Sequence, residues 1–169
     1  MEKKFLKIIK AVLIVAALGL VLWLANLNFP RSGQIVIQAQ LGKDSRAITR
    51  LGPDVRLKLE NGRPAVLENP VYFDLRALPW FIRARVYLVY QEDGRQLEGL
   101  GGQTGPGWQY EVKKPMAQAD LQDGFKQAIF DFDLTKLYSQ KNVKRFLIAT
   151  SQAPGGELKI KELKIILSR

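Results

Sequence analysis

Few side chains in this sequence are suited to catalysis, and the best of them are two carboxylates on one predicted strand. Asp131 and Asp133 are two residues apart, so they share one strand face, where paired carboxylates can act as general acid and general base. Strand alternation explains the same spacing if both face solvent opposite Phe130 and Phe132, with Asp133 capping a short helix. We favour this second interpretation and predict that the protein is not an enzyme.

The residue types that the sequence lacks exclude most metal sites and nucleophilic catalytic systems. The 169 residues include no histidine and no cysteine. Zinc, iron and copper sites of the usual kinds therefore lack their ligands, and Ser-His-Asp or Cys-His nucleophiles cannot be assembled. We expect no cofactor and no metal site. Residues 99–107 are rich in glycine but lack a Gly-Lys-Ser/Thr ending, and a predicted strand follows them, so we interpret them as a flexible strand connection.

Aromatic side chains near arginines are the best candidates for ligand recognition. Trp80 and Phe81 lie in a connection between two predicted strands, where a tryptophan beside guanidinium groups can stack on a sugar ring or enter a lipid interface. Trp108 and Tyr110 form a second candidate platform. The arginines around the first pair are Arg76, Arg83 and Arg85. The alternative is that Trp80 and Phe81 plug the open end of the fold while the arginines are solvated.

The elements that would position these side chains are strands, because apolar residues recur with a period of two. Short alternating runs closed by Gly, Pro, Asn or Asp predict an all-β antiparallel sandwich, each sheet burying one face. The predicted inward residues are Ile35, Ile37, Ala39, Val55, Leu57, Leu59, Val71, Phe73, Leu75, Ala84, Val86, Leu88, Tyr90, Phe130, Phe132, Leu134, Phe146, Ile148, Leu158, Ile160, Leu163, Ile165 and Leu167. Asn61-Gly62 and Asp123-Gly124 predict turns. The alternation of inward residues breaks at residues 161–162, which predicts a bulge or a crossing between sheets. Residues 133–142 predict a two-turn helix.

The N-terminal part of the chain differs in character. Fifteen apolar residues, 11–25, follow four lysines and predict an uncleaved transmembrane signal anchor, with cleavage as a signal peptide the alternative. The lysines place the N-terminus in the cytoplasm of a single-pass plasma membrane protein. The residues assigned to the anchor are Lys7, Lys10, Ala11, Leu20, Trp23 and Ala25. The predicted division is a cytoplasmic tail (1–10), the anchor (11–29), a linker (30–33) and an extracytoplasmic β-sandwich (34–169).

The charge of the chain favours anionic partners. Of the formal net charge of +10, the residues from Arg31 onward carry +7, which suits phospholipid headgroups or acidic envelope polymers. The basic residues are scattered, without a run of five or six, so simple solubility is the alternative. Nucleic acid is disfavoured as a partner, since a tether outside the cell gives it little context.

The core positions from residue 69 to residue 169 resemble those of jelly-roll β-sandwiches of the galactose-binding type. The resemblance rests on residues 73–75, 84–90, 130–134, 145–148 and 157–167, and it extends to single-pass anchored versions in small-genome bacteria. It implies a carbohydrate-binding-module-type fold and glycan binding through loop aromatics. Such modules can hold a structural calcium, but no calcium-ligand sequence stands out here. The resemblance is one of fold more than of function.

Three classes of function follow from the sequence. The first is a tethered, non-catalytic module that binds a glycan or an anionic envelope polymer through Trp80, Trp108 and nearby arginines. The second is a structural or accessory subunit of a membrane or cell-envelope protein complex. The third is a glycan-active enzyme using Asp131 and Asp133, which we rank far behind the other two.

Overall fold

The computed structural model describes the backbone of residues 2–28 and 33–169 and the side chains of residues 9–23 and 33–169. The chain forms two compact units, Met1–Gln34 and Ile35–Arg169. The first unit contains helix α1 (Glu2–Asn28), and its described side chains, including Lys10, Ala11, Leu20 and Trp23, are all exposed.

The predicted anchor is only partly covered by this description. Among the described residues, no helix is both long enough and apolar enough to cross a membrane. The side chains of Lys7 and Ala25 and residues 29–32 of the predicted anchor and linker lie outside the described residues. The transmembrane helix is therefore not found, and membrane anchoring stays a prediction from the sequence.

The second unit consists of strands in two sheets, which confirms the predicted all-β sandwich. Its strands are β1 (Gln34–Ala39), β2 (Leu57–Glu60), β3 (Arg63–Val66), β4 (Val71–Arg76), β5 (Arg83–Asp93), β6 (Leu97–Gln103), β7 (Tyr110–Lys113), β8 (Ala117–Asp120), β9 (Lys126–Asp133), β10 (Val143–Thr150) and β11 (Glu157–Ser168). Within residues 33–169, one sheet has seven strands in the order β2-β3-β11-β5-β9-β8, with β1 also pairing with β11. The other sheet has the order β4-β10-β6-β7.

The core lies between the inner faces of the two sheets, as strand alternation requires. Phe146 on β10 stacks on Phe73 of β4 at 5.5 Å between ring centroids and meets Phe132 of β9 edge-on at 5.1 Å. It therefore joins the four-stranded sheet to the seven-stranded one. The inward positions predicted on β4, β5, β9, β10 and β11 are confirmed, because all of them are buried, although on β10 the intervening Leu147 and Ala149 are buried too.

Local features predicted from turn and bulge chemistry are also present. Asn61 and Gly62, and likewise Asp123 and Gly124, have positive φ angles and connect neighbouring antiparallel strands. The pairing of β11 with β5 shifts between Ile160 and Glu162, which confirms a bulge rather than a crossing between sheets.

Three predictions about local structure are wrong. The predicted two-turn helix over residues 133–142 is absent, and the helical part of this segment is a 3₁₀ turn, Leu134–Lys136. After it, the Tyr138 N–H donates to the Gln103 carbonyl, which holds the chain in an extended path. Val55 is 86% exposed in a second such turn (Asp54–Arg56), and Leu59 is exposed on β2, the last strand along its sheet. Residues 99–103 belong to β6 and are not a connection.

Candidate ligand-binding cleft

The outer face of the four-stranded sheet carries polar and aromatic side chains placed by the same alternation that builds the core. On β4, Val71, Phe73 and Leu75 point inward, so Tyr72 and Asp74 face outward. β4 and β10 run antiparallel, and their register places Arg145 directly opposite Asp74. The sheet thus brings together two side chains that lie 71 positions apart in the sequence.

Arg145 and Asp74 form a bidentate ion pair. The Arg145 Nε and Nη2 atoms donate to the two Asp74 carboxylate oxygens at 2.7 and 2.9 Å. The guanidinium also lies over the Tyr72 ring, 4.5 Å from its centroid. The hydrogen bond to Asp74 raises the pKa of the Arg145 guanidinium above its usual range. The pair therefore fixes a planar, permanently charged group on the sheet surface.

The connection from β6 to β7 adds an exposed tryptophan beside this pair. Trp108 is 67% exposed, although its ring has two aromatic neighbours. Its centroid lies 6.2 Å from that of Tyr72 and 6.1 Å from that of Tyr110. The loop is held by hydrogen bonds, because Thr104 N donates to the Gln109 carbonyl at 2.9 Å and Gln103 Nε2 donates to the Gly107 carbonyl at 2.8 Å. Trp108 is thus an exposed ring on an ordered loop.

A cleft of about 650 Å³ opens between this loop and the segment that precedes β10. It is lined by Asp74, Gln103, Pro106, Gly107, Trp108, Tyr110, Tyr138, Gln140, Lys141, Val143 and Arg145. Amide, phenol, carboxylate and guanidinium groups thus surround aromatic rings, in a volume typical of small-ligand sites. Burial raises the pKa of the Tyr110 phenol, so it remains a protonated hydrogen-bond donor at neutral pH.

The two aromatic pairs nominated by the sequence occupy different surroundings. Trp108 and Tyr110 both line the cleft. Phe81 joins the core at 5% exposed, and Trp80, 41% exposed, has its ring 6.3 Å from that of Phe81 and does not line the cleft. The three arginines nominated with them do not line it either: Arg76 ends β4, Arg83 begins β5, and Arg85 lies on β5.

The carboxylates considered for acid–base chemistry are engaged elsewhere. Arg85 donates to both oxygens of Asp131 at 2.8 and 3.0 Å, and this hydrogen bonding lowers the pKa of the Asp131 carboxyl. Thr135 donates to Asp133 through its hydroxyl and its backbone N–H, which lowers the pKa of that carboxyl as well. Both groups stay ionised at neutral pH, which is the opposite of what a general acid requires.

Most cleft residues were not nominated by the sequence. Asp74 could have been found, because strand alternation with the buried Val71, Phe73 and Leu75 places it on the outer face of β4. Arg145, Tyr138 and Lys141 carry no comparable signal, since their place in the cleft depends on which strands are neighbours.

Comparisons with known proteins leave the chain without an assigned family. No family model matches it, and no curated protein matches it. A solved structure described as "CBM4 structure and function", a carbohydrate-binding module, is 14% identical over 81% of this chain and 91% of that chain, with a TM-score of 0.23. The enzymatically active domain of tailspike protein 4 of bacteriophage CBA120 is 13% identical over 81% of this chain and 17% of that chain, with a TM-score of 0.18. Likenesses this low carry no argument about function.

Proposed function

We propose that the β-sandwich is a non-catalytic module that binds a glycan in the cleft on its four-stranded sheet. The observation that carries this proposal is Trp108, a large ring that is mostly exposed yet supported by Tyr72 and Tyr110 beside a cleft. An exposed ring on an ordered loop offers a flat apolar surface to the C–H face of a sugar at little entropic cost. Gln103, Gln140 and the Tyr110 phenol line the same cleft and supply hydrogen-bonding groups for the hydroxyl groups of that sugar.

The charges of the described side chains favour binding over catalysis. Asp74 is held by Arg145, Asp131 by Arg85, and Asp133 by Thr135. A glycan-cleaving enzyme needs one carboxyl kept protonated near neutral pH, with a raised pKa, facing a second carboxylate across the scissile bond. The pKa shifts of Asp131 and Asp133 run downward.

The test compares two tryptophans that the sequence nominated together. The full chain is screened against immobilised glycans, and affinities for the best binder are measured by calorimetry for the native chain, Trp108→Ala and Trp80→Ala. Loss of a stacking ring at a binding site costs about 1–2 kcal/mol, which corresponds to about a 5- to 30-fold weaker Kd. We expect this loss for Trp108→Ala alone. Equal losses for both variants, or a larger loss for Trp80→Ala, would move the site to the β4–β5 connection.

Membrane tethering forms a separate part of the proposal and rests on residues 11–25 and the lysines before them. It places the cleft outside the plasma membrane, where envelope glycans are found. Protease added to intact cells should remove the β-sandwich and leave the N-terminal segment in the membrane fraction. Recovery of the whole chain in the soluble fraction would contradict the tether without bearing on the cleft.

A further inference from the structure

The cationic side chains that line the cleft are not equivalent. Arg145 is neutralised by Asp74, whose two oxygens both accept from it. Lys141 also lines the cleft, is exposed, and belongs to none of the ion pairs formed within residues 33–169. The lining therefore has one paired cation and one whose charge is directed at no acidic side chain. A neutral ligand would leave that charge unused.

Lys141 is held in place by a tight turn. Gln140 and Val143 exchange backbone hydrogen bonds of 3.1 and 3.0 Å, which leaves Lys141 and Asn142 as the two central residues. The Asn142 carbonyl in turn accepts from the Ala77 N–H at 3.0 Å, so the turn is fastened to the chain that follows β4. Three backbone hydrogen bonds thus fix the position of the Lys141 backbone relative to the cleft.

The backbone conformation of this turn favours other residues than lysine. Lys141 and Asn142 have φ angles of 52° and 64°, as the two central residues of a type I′ turn require. Asparagine and glycine adopt this left-handed region readily, and the chain uses Asn-Gly in the comparable turn at Asn61 and Gly62. Lysine adopts it rarely. A lysine held in this left-handed conformation beside a cleft is a local backbone strain of the kind that clusters at functional sites.

We propose that Lys141 recognises an anionic group on the ligand, so that the cleft takes an acidic glycan carrying a uronic acid carboxylate. This inference rests on the proposed function and names the substrate class of the same site. Trp108 stacks on one sugar ring, and the Lys141 ammonium pairs with the carboxylate of the same sugar or of a neighbouring one. The Arg145–Asp74 pair, being internally neutralised, serves the hydroxyl groups instead.

The experiment uses the full-length protein and oligosaccharides of matched length. Polygalacturonate and hyaluronan oligosaccharides are compared with the same oligosaccharides after chemical reduction of their carboxyl groups, which removes the charge and keeps the sugar backbone. We expect the native protein to bind at least one acidic chain about 5- to 10-fold more tightly than its reduced form, since a charge-assisted hydrogen bond strengthens binding by about that factor. The preference should shrink as salt is raised.

Variants of the turn separate charge from shape. Lys141→Gln removes the charge, Lys141→Asn removes it with a residue that suits the turn, and Lys141→Arg retains it. The first two should bind acidic and reduced chains equally, and Lys141→Arg should keep the preference. Lys136→Gln, an exposed lysine in the preceding 3₁₀ turn that does not line the cleft, is the matched control and should behave as the native protein.

The outcomes distinguish this inference from the function on which it rests. If the native protein binds acidic and reduced chains equally and Trp108→Ala weakens both, glycan binding stands and the role of Lys141 is refuted. If Lys136→Gln loses the preference as fully as Lys141→Gln, the attraction comes from the overall positive charge and the inference again fails. If neither form of either oligosaccharide binds, the inference and the proposed function both fail for this ligand class.

Discussion

Replacement of Arg95 by methionine should destabilise the β-sandwich strongly, although Arg95 does not line the candidate cleft. Its side chain is buried, and it forms no ion pair with an acidic side chain among residues 33–169. It donates instead to the carbonyls of Leu67, Ser151, Ala153 and Gly156 and to the Thr150 hydroxyl. Arg95 lies between β5 and β6, so its guanidinium joins the β5–β6 connection to the β3–β4 and β10–β11 connections.

The magnitude follows from the bonds that would be lost. The bonds to Gly156 and Thr150 are buried, at 3.2 Å each, and the other three are partly buried. A buried acceptor left without a donor costs about 1–3 kcal/mol, while water can replace the donor at part-buried acceptors. Two buried losses and a smaller contribution from the rest give a decrease of about 3–5 kcal/mol in the free energy of unfolding. That is a large part of the stability of an ordinary domain.

The assay is urea denaturation of the full chain, followed by tryptophan fluorescence, with the melting temperature measured in parallel. We expect the melting temperature to fall by on the order of 10 °C for Arg95→Met. Arg95→Lys should lower the melting temperature less than Arg95→Met, because lysine can still donate to some of these acceptors. It should still lower it, because lysine has three donors instead of five. Arg83→Met, at an exposed arginine on β5, is the control and should change the unfolding free energy by less than about 0.5 kcal/mol. Equal effects of Arg95→Met and Arg83→Met would refute the reasoning.

Two further predictions concern the neighbouring sheets. Gly99→Ala should destabilise by about 2 kcal/mol, because a Cβ there would overlap the Lys113 carbonyl oxygen and lie 2.9 Å from Val112 Cγ1. Gly101→Ala is the control and should lower the unfolding free energy less, since the nearest contact of its Cβ is a side-chain methyl at 3.2 Å. Equal losses of unfolding free energy for the two variants in urea denaturation would contradict this prediction. Asp131 has a pKa below its ordinary value of 3.8, so its ion pair with Arg85 stabilises the fold fully above about pH 4 and is lost as the pH falls through the lowered pKa. Asp131→Asn should therefore give a flatter dependence of unfolding free energy on pH below 4, and an unchanged slope would show that the pair contributes nothing.

Much of the architecture was predictable because burial leaves a periodic trace in a strand. Val71, Phe73 and Leu75 alternate with polar residues, and all three are fully buried in the core. The prediction failed at Leu59, because alternation shows only that a strand has an apolar face. It cannot show whether a second sheet covers that face, and β2 lies at the end of its sheet.

The sequence by itself determined the all-β class, most inward-facing residues, the turns at Asn61 and Asp123, and the nomination of Trp108 and Tyr110 as a ligand platform. These follow from local rules of side-chain periodicity and backbone conformation. Only the tertiary structure decided that Arg145 meets Asp74 and that Lys141 faces the same cleft as Trp108. The reason is that such meetings depend on strand order and register, which are set by the packing of the whole core and leave no trace in the spacing of the residues that meet.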